Sequence, residues 1–505
     1  MRKRYCQAKV TKRGGKNGRE SEHLVVPKRT GNPSQGDPAE GRGCLVKELS
    51  EGKTMGTTSP ENEIENEVST KLAWIAELAR RHPESPLTTL AHHIDKDFLA
   101  EAYRRTRKNG AVGVDRETAT QYAENLDERL EGLVNRLKTG TYRAPPVRRV
   151  YIPKGSGKEM RPIGVPTFED KVLQRGVAMV LEAIYEQEFK DYSYGFRPGK
   201  SAHQALEALW KGLEIMGGGW VVDLDIKGFY DTINHGQLRS FLDQRIRDGV
   251  IRRAIDKWLK AGVMEEGAVM YSETGTPQGG VISPILANLY LHEVIDKWFE
   301  QTVVPSSTSR AFMVRYADDI VMVFKSEEDA NRMMRTLPKR LEKFGLTLSP
   351  EKTKLVPFKR PGNTGTQDEK THTKTMFDFL GFSHYWGKSR KGKQVVKRKT
   401  AKGRFAAAVK RIAIWCKINR HRKLKEQWQA LCRKLTGHYN YYGITGNSEA
   451  LGKMAMATRR AWFKWLCRRS QKGKMRWERF NQILSHYPLP RPIVVHSVYR
   501  CVANP

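Results

Sequence analysis

The chain has 505 residues, with 90 Lys and Arg against 55 Asp and Glu, a formal charge of +35. That length allows several domains with cores of their own, and the positive excess points to a polyanionic partner, nucleic acid first. Composition excludes much else: no apolar run of about 18 residues, no apolar N-terminal leader, and six cysteines without a C-x-x-C pair, which argues against a zinc site or a disulfide framework. An intracellular protein of prokaryotic or organellar type, with free thiols and no membrane partner, is expected.

Residues 1–68 are rich in Lys, Arg, Gly, Pro, Ser and Glu and lack apolar periodicity, so they read as a disordered basic extension. From 69 to 145, apolar positions recur at helical spacing: Leu72, Ile75 and Leu78, then Leu126, Leu130, Leu133 and Leu137. Between them Arg104–Asp115 is basic and punctuated by glycine, as a helix connection would be. Next, Val150–Pro166 holds two β-prone runs around Gly155-Ser-Gly157, a hairpin signal. Lys154 and Arg161 sit on opposite arms near its turn and can converge on one anion, offsetting the charge of a triphosphate. Lys158, in the loop, reads as a bystander.

A helix is expected over Asp170–Tyr185, with Tyr194-Gly-Phe-Arg197-Pro as its exit loop and Arg197 as a phosphate contact. A second helix runs from about Ser201 to Ile215 and breaks at Gly217-Gly-Gly219. In the strand that follows, Asp223 and Asp225 alternate with Val222, Leu224 and Ile226, so both aspartates share one face. Phe229 and Tyr230 come next, and Asp231 reads as surface. Thr276-Pro-Gln278-Gly279-Gly280-Val-Ile-Ser283-Pro284 opens a long helix, Ile285–Phe299. Its paired glycines permit close backbone approach to a ligand, and the helix N-terminus behind them favours phosphate.

Phe312–Phe324 is two apolar β-prone runs flanking Asp318 and Asp319, hence a hairpin with both carboxylates at its tip. Aspartate is common in ordinary turns. With an aspartate strand upstream, however, the pair can complete a three-carboxylate cage for Mg²⁺, the arrangement that two-metal nucleotidyl transfer needs. Ser326–Asp329 caps a helix reaching Phe344. Leu346–Val356 then returns as a strand, with Lys352 and Lys354 facing solvent or serving as a general acid toward pyrophosphate. Phe377–Tyr385 is an aromatic strand pair. From Lys388 to Lys434 there are eighteen Lys and Arg and one acid, Glu426, with Phe405, Val409, Ile412, Ile414 and Trp415 suggesting a helix. Leu435–Gly443 and Ala461–Trp477 interleave rings with cations, the chemistry of structured-RNA recognition.

At Tyr194-Gly-Phe-Arg-Pro, Asp225-Ile-Lys-Gly-Phe-Tyr, Thr276–Pro284 and Tyr316-Ala-Asp-Asp319 the chain resembles group II intron-encoded reverse transcriptase/maturases, over about residues 70–500. The resemblance implies an α/β (α+β) right-hand polymerase. Residues 69–145 would be the N-terminal segment, whose basic loop closes over the template. Fingers and palm with an antiparallel sheet would occupy 146–387, a helical thumb 388–434, and a helical RNA-binding maturase domain (domain X) 435–505. Asp225, directly before Ile-Lys-Gly-Phe, would hold two Mg²⁺ ions with Asp318 and Asp319. Nucleotide binding would fall to Lys154, Arg161, Gln278 and either Phe229 or Tyr230, one of which gates the sugar. Contacts to template or intron RNA would fall to Arg197, Gly279, Tyr316, Arg404, Lys410, Arg411, Arg468, Arg469, Lys472 and Lys474. Phe377–Tyr385 would hold the primer.

The implied function is RNA-directed DNA synthesis together with binding of the chain's own group II intron RNA to assist splicing and mobility. The implied partners are that RNA, an RNA template with its DNA primer, dNTPs and target DNA. The few residues after Tyr499 leave no room for the endonuclease domain of some members. Two rival readings are a splicing cofactor whose polymerase has decayed, and a retron or diversity-generating reverse transcriptase. The intact aspartates count against the first, the C-terminal region against the second.

Overall fold

The structure, a computed structural model, describes residues 60–154, 159–265, 268–271, 274–276, 278–361, 375–470 and 475–497. Its first helix, α1 (Pro60–Arg81), starts inside the stretch assigned above to the extension. Val68, Ile75 and Ala79 recur at helical spacing and are buried, so the apolar stripe reaches further upstream than composition showed; residues 1–59 lie outside the described residues. Asp95 caps α2 (Lys96–Arg105), and a Thr118–Gln121 capping box opens α3 (Ala119–Ala123). Helix α4 (Leu126–Thr139) buries Leu130, Leu133 and Leu137 and stops at Gly140 in the left-handed conformation. The connection between α2 and α3 is docked on the body: Arg148 holds the Val112 carbonyl, and Lys171 the Ala111 carbonyl.

Strands β1 (Val147–Lys154) and β2 (Glu159–Val165) form the expected hairpin, with Ile152 opposite Arg161 and Lys154 opposite Glu159. Helix α5 (Phe168–Tyr185) follows under a Thr167 cap, then α6 (Ala202–Met216), closed by Gly217 at φ 70°. After β3 (Gly218–Leu224) come α7 (Phe229–Thr232), α8 (His235–Asp243) and α9 (Gly249–Leu259). The short strands β4 (Val263–Glu265) and β5 (Ala268–Met270) extend the first sheet to the order β2-β1-β4-β5. Helix α10 (Ser283–Leu291) continues through π turns at His292–Asp296 and Phe299–Val303 into α11 (Val304–Ser306), past the expected end at Phe299.

The second sheet has the order β6-β7-β3-β8, where β6 is Ala311–Tyr316, β7 Asp319–Phe324 and β8 Lys354–Lys359. Helix α12 (Glu327–Glu342), capped by Ser326, connects β7 to β8. Strand β8 begins later than expected. Most of 346–353 is irregular, its backbone satisfied by a Leu348–Ile226 bridge and by Lys227 donating to the Thr347 carbonyl. Alternation gives this sheet two buried faces. Val222, Leu224, Met313 and Met322 join the large cluster formed with α1–α5, α7–α10 and α12, whereas Val221, Val314, Val321 and Val323 join a second cluster with α6 and a third sheet.

That third sheet has the order β11-β10-β9, from β9 (Phe377–Phe379), β10 (Phe382–Lys388) and β11 (Gln394–Thr400). The hairpin β10–β11 crosses the 387/388 boundary, so the basic stretch read as helix opens with a strand that buries Val396, Arg398 and Thr400. Helices α13 (Lys402–Ile418), α14 (Leu424–Tyr442), α15 (Ser448–Leu466) and α16 (Trp477–His486) enclose a third cluster around Leu431, Leu435, Trp462 and Phe480. Helix α14 runs straight through residues 434 and 435, so the two C-terminal regions share one helix and one core. Cys416, Cys432 and Cys467 are free thiols, and no helix among the described residues is long and apolar enough to cross a membrane.

Candidate catalytic carboxylate site

The β6–β7 hairpin pairs Tyr316 with Asp319, leaving Ala317 and Asp318 as its two-residue turn. Ala317 takes φ 56°, an uncommon value for a residue with a Cβ. In the neighbouring strand Asp223 lies opposite Val321 on one side and Lys354 on the other. Asp225 follows at the strand's end; its amide donates to Thr353 Oγ1 at 3.3 Å, and its carbonyl accepts from the Ser349 amide at 2.9 Å. Carboxylates distant in sequence are thus gathered at one end of one sheet.

Their electrostatics show crowding. Desolvation pushes the Asp318 carboxyl up and Asp225 adds to this, while Arg161 and Lys352 oppose it. Asp319 has surface open to solvent yet sits deep among neighbouring groups; desolvation, Asp318 and Asp225 push it up to about 6, against Arg404 and Arg161. Burial and Asp319 push Asp223 up to about 7, against Lys354. Such a cluster is short of positive charge, and its donors are hard oxygens of the kind Mg²⁺ prefers, so the residues fit a divalent metal. In this conformation no three His, Cys, Asp or Glu side chains among the described residues converge to hold an ion. Lys352, exposed but not free, places Nζ 3.1 Å from Asp225 Oδ2.

Several nucleotide-binding candidates border these carboxylates. Arg161 is exposed and pulls down Asp318, Asp319 and the Tyr230 phenol. By register Lys154 shares its face of the hairpin, although the Lys154 side chain lies outside the described residues. Tyr230 is half-buried and feels the Asp318 charge; Phe229 is buried in the main core against Tyr290. Only Tyr230 therefore borders the carboxylates, and Phe229 is corrected to a core residue. Gln278 is half-buried, and its carbonyl accepts from the Gly164 amide at 2.8 Å.

Four of the expected contact points take part in the fold itself. Gly279 (φ 120°) is already required by the chain's own backbone: a Cβ there would stand 2.5 Å from the Gly164 carbonyl oxygen. Of the amides leading into α10, those of Val281 and Ile282 donate to Gln174 Oε1 at 2.9 and 3.4 Å, so these two do not await a phosphate. Arg197 is buried. It meets Glu186 through Nε and Nη2 and donates from Nη1 to the Lys190 and Ser193 carbonyls, so it locks the exit loop rather than meeting a template. Arg469 donates to the Arg420 and Arg422 carbonyls and pins the α13–α14 connection.

Tyr316 is half-buried and packs on the second cluster. Arg404, Lys410 and Arg411 lie exposed along α13, and Arg404 is near enough to Asp319 to lower its carboxyl, a proximity that spacing did not show. Arg468 is exposed over the Trp465 ring. Lys472 and Lys474 lie outside the described residues. Sequence reading also missed Asn288, Asp296 and Arg315, buried directly behind the turn; a lone arginine within the apolar β6 run was the available signal.

Residues 152–384 match the family described as reverse transcriptase (RNA-dependent DNA polymerase). Over 208 residues the chain is 42% identical to the group II intron-encoded protein LtrA of Lactococcus lactis subsp. cremoris, covering 41% of this chain and 34% of that protein. It is 35% identical over 260 residues to protein YkfC of Escherichia coli K12, covering 45% of this chain and 68% of YkfC. With the mitochondrial nuclear intron maturase 2 of Arabidopsis thaliana it shares 29% identity over 174 residues, covering 27% of this chain and 24% of that protein. The chain thus spans about a third of the length of LtrA.

Proposed function

The chain belongs to the reverse transcriptase (RNA-dependent DNA polymerase) family, among its group II intron-encoded members, and from that premise we propose that it copies RNA into DNA at Asp225, Asp318 and Asp319. The observation that carries the reading is a strand-end aspartate and an aspartate pair at the adjoining hairpin turn gathered at one end of one sheet, where Asp225 adds to the charge burden on Asp318 and both add to that on Asp319. These three residues would hold two Mg²⁺ ions. Bound there, divalent metal would lower the pKa of the primer 3′-hydroxyl and offset charge on the leaving phosphates.

The rest of the work falls to side chains. Arg161, with Lys154 on the same face of the β1–β2 hairpin, would clamp the triphosphate and orient it toward the turn. Tyr230 would lie against the sugar and exclude a ribose 2′-hydroxyl, with Phe229 fixing it from the core. Gln278 would align template or nucleotide through its amide. Lys352 would neutralise Asp225 until metal binds. The sheet β6-β7-β3-β8 would be the palm and the first sheet the fingers. Strands β9 and β10 would carry the primer, and α13 and the first part of α14 the thumb. The remaining helices would bind the intron RNA for splicing and mobility, with target DNA as the acceptor. Exposed Arg404, Lys410, Arg411 and Arg468 support that division.

Primer extension on poly(rA)/oligo(dT) with dTTP and Mg²⁺ tests the proposal. Incorporation that EDTA abolishes is expected. No incorporation by a folded wild-type protein would leave the splicing-cofactor reading in its place. Sequencing RNA crosslinked to the purified protein separates an intron partner from the RNA of a retron or diversity-generating element.

A further inference from the structure

Behind the Tyr316–Asp319 turn lies a buried polar group that the chemistry above does not use. Arg315 has no solvent exposure. Its Nε donates to Asp296 Oδ1 at 2.8 Å and its Nη2 to Asp296 Oδ2 at 2.5 Å. Its Nη1 reaches Asn288 Oδ1 at 3.0 Å and the Ala317 carbonyl at 3.4 Å. Asn288 in turn donates from Nδ2 to the Gly195 carbonyl at 2.7 Å. The Arg315 amide donates to the Tyr192 carbonyl and the Tyr194 amide to the Arg315 carbonyl, both at 2.8 Å. A Cβ on Gly195 would stand 2.3 Å from the Ala317 nitrogen. The Tyr194-Gly-Phe loop, the α10 helix and strand β6 therefore meet behind the peptide that precedes Asp318.

We infer that Asn288, Arg315 and Asp296 are positioning residues, a buttress that fixes the Ala317–Asp318 peptide and so aims the Asp318 and Asp319 carboxylates. Three physical points carry this. A left-handed alanine persists only where its surroundings over-determine it, and here the support is visible. A bidentate guanidinium–carboxylate pair fixes direction as well as distance, which apolar packing does not. A buried ion pair adds little net stability over an apolar replacement of the same volume, so its place behind this turn is better explained by aim than by stability. The same geometry accounts for the Tyr-Gly-Phe-Arg motif, which holds the loop against the turn through Gly195 and locks it through Arg197.

The inference rests on the reading of Asp318 and Asp319 as the working carboxylates, so Asp318→Ala is run alongside. The test is Asn288→Ala in the full chain, read by primer extension and by amide hydrogen exchange. Expected are a fall in kcat of about 100-fold, as misaligned catalytic groups give, an unchanged KM for dTTP, and a raised Mg²⁺ requirement. Exchange should quicken at Tyr316–Ile320 but not in β3. Should Asn288→Ala fail to fold, Asn288→Asp keeps an oxygen facing Arg315 but replaces the donor to the Gly195 carbonyl by a second, charged oxygen; the same pattern is expected. A folded variant with unchanged kcat and unchanged turn exchange overturns the buttress. So does loss of protection equal in β3 and the turn, or failure of both variants to fold, since each marks a stabilising role alone. If Asp318→Ala retains synthesis, the catalytic assignment has failed instead.

Discussion

Asp296 carries its charge with no solvent exposure. Burial pushes its carboxyl up, but Arg315 and His292 outweigh that and hold it below the usual carboxylate range. A depressed carboxyl contributes stability that is fully present above its unfolded value, about 3.9, and is lost as pH falls through the folded value. Asp296→Asn should therefore flatten the acid limb of the stability profile and lower stability at neutral pH by about 3–5 kcal/mol, because Arg315 is left unpaired. Urea unfolding between pH 3 and 7 checks this; matching acid limbs in variant and wild type would contradict it. Arg197→Ala should lower Tm while leaving template affinity per folded molecule unchanged, as fluorescence anisotropy would report. Residue types and their spacing made Asp223, Asp225, Asp318 and Asp319 legible as candidate carboxylates, and the family resemblance chose Asp225 over Asp223. They did not make Arg197 legible, because a cation in a loop does not announce that Glu186, eleven residues earlier, will fold back onto it. Nor could they choose between Phe229 and Tyr230, whose orientations depend on where α7 meets the core.

Among the elements, the Thr276–Gly280 loop shows how a motif can be read correctly and placed wrongly. Its glycine pair signalled close backbone approach, and the approach is real, but the neighbour is strand β2. Gly279→Ala would set a Cβ against the Gly164 carbonyl at a φ of 120°, displacing Gln278 from the β1–β2 hairpin. A lowered Tm and, per folded molecule, a raised KM for dTTP are expected; an unchanged KM would mean that the loop does not set the nucleotide site. Strand β11 was hidden for a different reason. Its alternation of Val396, Arg398 and Thr400 with Lys397 and Lys399 carries so many cations that charge density masked the period of two. Helices α5 and α6 were legible from periodicity and α12 also from its Ser326 cap; Thr167, Ser201 and Ser326 each accept from an amide in the first helical turn.

Across the molecule, a charge of +35 and cations exposed along α13 predict binding that weakens steeply with salt. Replacing Lys410 and Arg411 by Gln should reduce the slope of log affinity against log salt by up to about 0.9 for each phosphate no longer neutralised, with Mg²⁺-dependent synthesis at low salt retained. An unchanged slope would move the nucleic-acid track elsewhere. The division between the C-terminal regions could not be read from composition, since α14 crosses it and one apolar cluster spans both sides. What holds the account together is a division of labour, carboxylates for chemistry and basic helices for RNA. Asp318→Ala, assayed on one preparation for DNA synthesis and for RNA affinity, tests it most directly. Synthesis should vanish with affinity nearly intact; retained synthesis, or loss of both in parallel, would contradict the account.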